Sequence, residues 1–169
     1  TDAVIFNAGL FKAPFSREFL TSAADIDFVN RSVVVSSLVP NRQIGLQVGG
    51  SVSELNVNYS LGIFNGNRFA DNSNDNNRFM YAARLAYLPN IEGVKSEIAL
   101  NIAQSKDDNV NIPSIGPNFS GDRFIVGADT RITFKDILLS GEVIYANLKH
   151  RVGDKQEALG YQGTLGYSI

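Results

Sequence analysis

Residues 40–66 read PNRQIGLQVGGSVSELNVNYSLGIFNG, and their alternation decides the fold. Ile44, Leu46 and Val48 share one parity, and Gln43, Gly45 and Gln47 the other. Leu55, Val57, Tyr59, Leu61 and Ile63 then alternate with Asn56, Asn58, Ser60 and Gly62. A period of two places successive side chains on opposite faces of a strand. The short link Ser51–Glu54 predicts an antiparallel hairpin of strands 42–51 and 55–65. One face is unbroken hydrocarbon, and the other is amide, hydroxyl and glycine. Asn and Gly are poor strand formers in soluble sheets. They suit a strand whose polar face lines water and whose apolar face meets lipid, which is the pattern of a transmembrane β-barrel.

The same alternation recurs on both sides of this hairpin. A strand over about 3–12 sets Val4, Phe6, Ala8 and Leu10 against Ile5, Asn7, Gly9 and Phe11, with Lys12 on the apolar parity at the membrane edge or past a bulge. Further strands are predicted over 78–88, 94–103, 122–134, 137–148 and from Leu159 to the end. Strands of roughly ten residues cross a bilayer when tilted. Short links at 51–54, 89–93 and 135–136 alternate with long ones at 13–41, 66–77, 104–121 and 149–157. Short turns on one side and long loops on the other is the outer-membrane layout, and a soluble β-sandwich has no reason to keep it. The expected fold is therefore all-β, an antiparallel up-and-down transmembrane barrel in one domain, 1–169, with about eight strands visible. Phe79, Tyr87, Phe124, Phe134, Tyr145, Tyr161 and Tyr167 fall near strand ends on the outward parity, as an interfacial girdle requires.

Composition narrows the function. There is no Cys, so no disulfide framework or thiolate metal site, and the single His150 excludes a His pair for zinc and is expected on a surface loop. Net charge is −2, from 15 basic and 17 acidic residues, which gives no general attraction to nucleic acid. No apolar run approaches a membrane helix. Asp71–Asp75 resembles a calcium loop but lacks the Gly and Glu that such a loop needs, and reads as a solvated loop. Asp107 and Asp108 read as a loop charge pair. No cofactor motif and no nucleophile or acid–base cluster is present, so an enzyme is not expected. The sequence opens inside a strand pattern with no signal peptide, which suggests part of a longer polypeptide.

The run Gly9-Leu10-Phe11-Lys12-Ala13-Pro14-Phe15-Ser16 with Glu18-Phe19-Leu20-Thr21-Ser22 resembles the phosphate-selective porin O and P family. So do Asn30-Arg31-Ser32, Pro40-Asn41-Arg42-Gln43-Ile44-Gly45 and Phe64-Asn65-Gly66. Asn30 stands where the family usually has Glu. The resemblance covers about residues 9–66 at motif level and the remainder by strand pattern. It implies a trimeric porin of about 16 strands in the outer membrane of a Gram-negative-type bacterium, of which this chain supplies about half. The family's closing strand commonly ends in an aromatic residue, whereas this chain ends Tyr167-Ser168-Ile169.

The connection 13–41 is too long for a hairpin loop and is suspected of function, folded into the lumen of a wide barrel. Within it Ser16-Arg17-Glu18-Phe19 suggests the opening of a short helix, and Arg31–Val39 reads as a strand or a packed apolar loop. Inward parity gives Arg84, Lys95, Glu97, Asp129, Arg131 and Glu142, whose charges balance and show no anion preference. Lipid-facing charges would each cost up to ~2–4 kcal/mol at midplane, so inward placement is forced. Pairing of Asp129 with Arg131 is one way to satisfy them. Selectivity is expected from Lys12, Arg17, Arg31 and Arg42, which outnumber Glu18, Asp25 and Asp27 by one. These are the candidate anion or constriction residues, since Arg offers a planar fork to phosphate oxygens and Lys a point charge. A structural role for Arg17 and Arg31, anchoring the loop to wall carboxylates, is the alternative. The leading function is passive diffusion of small anions or other small hydrophilic solutes, and phosphate itself follows from the resemblance alone. The other reading is a non-conducting outer-membrane barrel that serves as scaffold or attachment point.

Overall fold

The computed structural model describes residues 4–66, 77–112 and 116–168, with backbone alone for 116–118. The stretch 67–76 with its Asp71–Asp75 run, Pro113 and the two chain ends lie outside the described residues. The strands are β1 (Ile5–Lys12), β2 (Arg42–Val52), β3 (Val57–Phe64), β4 (Met80–Tyr87), β5 (Val94–Ile112), β6 (Gly116–Phe134), β7 (Ile137–His150) and β8 (Lys155–Tyr167). They form one 8-stranded sheet in the order β1-β2-β3-β4-β5-β6-β7-β8, each neighbouring pair antiparallel. The sheet is an open, partial barrel whose edges are β1 and β8.

Register converts the sequence alternation into two faces. Leu10 pairs with Ile44, Leu46 with Ile63, Leu61 with Ala83 and Ile102 with Val126, so hydrocarbon lies beside hydrocarbon across strands. On this outer face Leu46, Leu61, Leu85, Leu100, Leu139 and Leu165 are all exposed. A continuous apolar face across eight strands is far larger than the patches soluble monomers carry. Tyr87, Phe134 and Tyr167 rim it at the short-turn end, and Phe79, Tyr81 and Phe124 at the other. Tyr161, expected at a rim, sits mid-strand opposite Val143.

The inner face carries Ala82, Arg84, Ala86, Ala99, Asn101, Ala103, Asp129, Glu142 and Ile144, all buried. Much of what buries them is the connection 13–41, packed onto this face. Ala13, Phe15, Phe19, Val35, Leu38 and Val39 join one hydrophobic cluster with Met80, Ala82, Ile125, Ile144 and Ala146. Two glycines give the connection its close approach. A Cβ on Gly160 would lie 2.7 Å from Val34 Cγ1, and one on Gly127 3.3 Å from the Phe15 ring. Helix α1 (Arg17–Leu20) starts at Ser16, whose hydroxyl accepts from the Phe19 amide, as the sequence suggested. Residues 31–39, expected as a strand or packed loop, instead contain helix α2 (Val33–Leu38), capped by Ser32. Val33, Val34 and Val35 favour strands. The Ser32 cap and the burial of Val35 and Leu38 override that preference.

A second correction concerns 104–121 and 149–157, expected as long loops. Strands β5 and β6 each run 19 residues, and β7 reaches His150. About ten residues suffice to cross the bilayer, so these strands continue beyond the apolar band as a ribbon. Its inward parity never breaks up to Asp107. Asp107 is therefore no loop charge: its buried carboxylate pairs with buried Arg123, Nε to Oδ2 at 2.8 Å. His150 stacks edge-on against Phe119, centroids 4.8 Å apart.

Candidate functional site

The site is the space between the inner face and the connection, and it is assembled by an arginine on β4. Arg84 faces inward opposite Asn101 and Ser60. Its Nη1 donates to Asp129 Oδ2 and Asn101 Oδ1, both at 2.6 Å. Its Nη2 donates to Asp129 Oδ1 at 2.9 Å and Glu97 Oε1 at 2.6 Å. Asn101 Nδ2 completes the ring to Asp129 at 2.7 Å. Buried charges persist only when paired and hydrogen-bonded, and this group spends its charge internally.

The connection fastens to that wall with its own polar groups. The Ser16 amide donates to Asn101 Oδ1 at 3.2 Å, and the Ser16 hydroxyl donates to Glu142 Oε2 at 2.9 Å. Ser16 holds φ 66°, a conformation that costs a non-glycine residue strain, and its two wall bonds hold it there. Arg131 grips Asp27 with two bonds, at 2.5 and 2.9 Å. That contact holds the Asp27 carboxyl below the usual carboxylate range, against a smaller opposing effect of burial. Glu18 accepts from the Ser32 amide at 2.5 Å and from Gln162 on β8. All these wall contacts lie on β5–β8, so Asp129 pairs with Arg84 rather than with Arg131. Of the six inward charges, Lys95 stands apart, exposed near the short-turn end.

The four predicted anion residues divide. Lys12, Arg31 and Arg42 line one open cleft of about 730 Å³ on the β1–β2 side, with Asn7, Phe11, Phe19, Leu20, Ser22 and Ala23. Among the described residues that line it there is no carboxylate. Lys12 and Arg42 are direct cross-strand partners at the end of the hairpin, an arrangement like charges resist. Lys12 Nζ donates to the carbonyls of Thr21 (2.7 Å) and Leu20 (3.2 Å). Arg31 donates from Nη2 to Thr21 O (2.7 Å) and from Nε to Glu18 O (3.3 Å). The two cations thus cap the carbonyl end of α1 and flank the Phe19 ring, at 5.5 and 5.7 Å from its centroid. Arg31 therefore anchors the connection to its own backbone, where wall carboxylates had been the alternative. The Arg42 side chain has neither hydrogen bond nor ion pair among the described residues.

Arg17 is separate from the trio. It lies between the enclosed space under 25–30 and a cleft of about 290 Å³ lined by Asn58, Ser60, Arg84 and Glu97. It forms no ion pair among the described residues. Burial pushes its guanidinium below the usual range, and Arg131 adds to the effect. The cluster Arg123–Asp107–Ser105 was missed by sequence reasoning, although inward parity carried through 104–108 would have found it. Among the described residues no His, Cys, Asp or Glu group is arranged to hold a metal. Among the described residues no helix is long and apolar enough to cross a membrane.

No curated protein and no solved structure gives a significant match to the chain. The family profile for phosphate-selective porin O and P matches residues 1–133 of the 169. That span holds the hairpin β2–β3, the folded connection and the three-cation cleft, and on this match the chain belongs to the phosphate-selective porin O and P family.

Proposed function

We propose that this chain forms one wall and the constriction of an outer-membrane anion channel, of the phosphate-selective type for which the family is named. Family membership supports a channel in the outer membrane rather than an enzyme. In the membrane an open sheet is untenable, because unpaired edge amides in hydrocarbon cost several kcal/mol each. Strands β1 and β8 are therefore closed by further strands into a barrel of about 16, wide enough for an aqueous lumen, and such barrels assemble as trimers in this reading. Connection 13–41 lies in that lumen.

One observation carries the anion reading. Lys12, Arg31 and Arg42 share a cleft with no carboxylate among its described lining residues, while Arg84 and Arg131 are more than neutralised by Asp129, Glu97 and Asp27. The wall cancels its own charge, and the β1–β2 side of the constriction keeps an excess of positive charge. Such a bias in a narrow polar passage favours anions. Small anions in general, phosphate among them, fit it.

The test is the reversal potential of the full-length native protein in a planar bilayer under a potassium chloride gradient, followed by titration with phosphate. Anion-directed reversal with phosphate block supports the reading. Cation-directed reversal overturns it, and a folded, inserted protein that never conducts is a scaffold.

A further inference from the structure

The outer face carries a row of charge that solute passage leaves unused. Lys106 on β5 pairs with Asp122 on β6, Asp122 with Lys149 on β7, and Lys149 with Lys155 on β8. All four are exposed. They share the outward parity of Ile102, Val126, Tyr145 and Leu159, the last apolar row below them. Phe124 of the rim lies between the two rows, one outward step from Asp122 along β6. That step rises about 7 Å along a strand, or roughly 5 Å along the membrane normal at the tilt of a barrel. The headgroup layer is about 5–7 Å deep on each side of the hydrocarbon, so the row stands within it. It stands at the long-link end, which faces outward in such barrels.

The charge inventory points to an anion. Asp122 lies 3.4 Å from Lys106, and Glu157, one outward step down β8, lies 2.5 Å from Lys155. Above the row Asp108 is met by Arg151 at 3.5 Å, and Asp154 lies off the row in the turn after β7. The positive excess of the row falls on Lys149, which has no ion pair among the described residues. Lys149 and Lys155 are direct cross-strand partners, a juxtaposition that like charges resist. An anion shared between them turns that repulsion into attraction. A phosphomonoester suits the place, with a charge of about −1.5 to −2 and three acceptor oxygens. The apolar face directly below favours an anion that carries hydrocarbon of its own.

Resting on the membrane-spanning barrel above, and not on its ion selectivity, we propose that this row binds the phosphomonoester headgroup of an outer-leaflet lipid. The phosphate bridges Lys149 and Lys155, with Lys106 beyond Asp122, and the acyl chains run down over Val126, Val143 and Leu159.

The test uses the full-length native protein in detergent, with bound lipid counted by native mass spectrometry. Phosphatidic acid, whose head is a phosphomonoester, is compared with phosphatidylcholine of the same acyl chains. Phosphatidic acid should half-saturate at a concentration roughly tenfold or more below phosphatidylcholine. Lys149→Ala and Lys155→Ala should each lower that preference roughly fivefold. Both side chains are exposed, so the variants keep the fold. Lys135→Ala, in the short turn at the opposite rim, should leave the preference unchanged. Equal retention of the two lipids overturns the proposal. A preference that survives loss of both lysines, or that falls as far in Lys135→Ala, overturns it as well, since the charge responsible then lies elsewhere. Displacement of phosphatidic acid by an equal concentration of inorganic phosphate would make the row a site for the free anion and overturn the lipid assignment. None of these outcomes depends on which ions the channel passes, which the reversal potential reads separately.

Discussion

Arg84 and Asp129 meet edge to edge, Nη1 to Oδ2 at 2.6 Å and Nη2 to Oδ1 at 2.9 Å, with only 8% and 4% of the two residues exposed. They sit on β4 and β6, with β5 between them, so the pair ties three strands of the wall from the inside. Removing the arginine alone leaves the buried Asp129 and the half-buried Glu97 without an ion-pair partner. Arg84→Ala should destabilise the folded barrel by about 3–5 kcal/mol. Arg84→Lys should rescue little, because an ammonium cannot reproduce the two parallel bonds. A double replacement, Arg84→Met with Asp129→Leu, should be milder than either single loss. Urea unfolding of the detergent-folded protein measures all three, and a harmless Arg84→Ala would refute the assignment.

The Asp27–Arg131 contact makes the anchorage of the connection depend on acid. Asp27 has a folded pKa below its unfolded value, so its contribution is fully present above the ordinary carboxylate range, about pH 4. It is lost as pH falls through the lowered folded value. Pepsin cleavage near Phe28 should be faster in Asp27→Asn than in the native protein at about pH 4. The two rates should converge as pH falls further and the native carboxyl takes up its proton. Equal rates at the higher pH would show that this bond does not hold the connection.

Gly160 tests the close approach of α2 to β8. Val34 is β-branched and cannot swing aside from a new Cβ 2.7 Å away. Gly160→Val should cost about 1–3 kcal/mol and make 31–39 protease-sensitive while the strands remain folded. An intact connection in that variant would place α2 elsewhere.

Ser16 offers a reversed glycine–alanine ranking. Both Ser16→Ala and Ser16→Gly lose the hydroxyl bonds to Glu142 and the Phe19 amide. Only glycine relieves the positive φ. Ser16→Gly should therefore be more stable than Ser16→Ala by about 1 kcal/mol, measured by the same urea unfolding. The opposite order would mean that the strain is absent.

Arg42 and Arg31 separate charge from scaffolding. The Arg42 side chain has no hydrogen-bond partner among the described residues, so Arg42→Ala should reduce anion preference, read from the reversal potential, with stability changed by less than about 0.5 kcal/mol. Arg31→Ala should lower both, because its bonds to Glu18 and Thr21 carbonyls close α1. If Arg42→Ala leaves the reversal potential unmoved, the cleft is not on the solute path.

The alternating residues of 43–50 and 57–63 were enough to assign strands, faces and an antiparallel wall, because period two and burial on one side leave a single register that keeps hydrocarbon together. Leu55, expected in the second strand, lies in the turn before it. The Gly9–Ser22 run was enough for the family, and Ser16 for the start of α1. Sequence could not say which charge meets which. Asp129 lies two residues from Arg131, yet the pleat and register carry it to Arg84, 45 positions away, while Arg131 reaches Asp27, 104 positions away. Nor could it separate Arg17 from Lys12, Arg31 and Arg42, since that division depends on how connection 13–41 folds back across the wall. The ends of the β5–β6 ribbon and helix α2 were misread for one reason: Asp107, Asn109 and a run of valines carry local preferences that point one way. Pairing with Arg123 and packing over Gly160, both contacts distant in sequence, decide the other. Local periodicity fixes faces because it is a property of the strand itself. Charge partners and loop packing are properties of the closed three-dimensional arrangement.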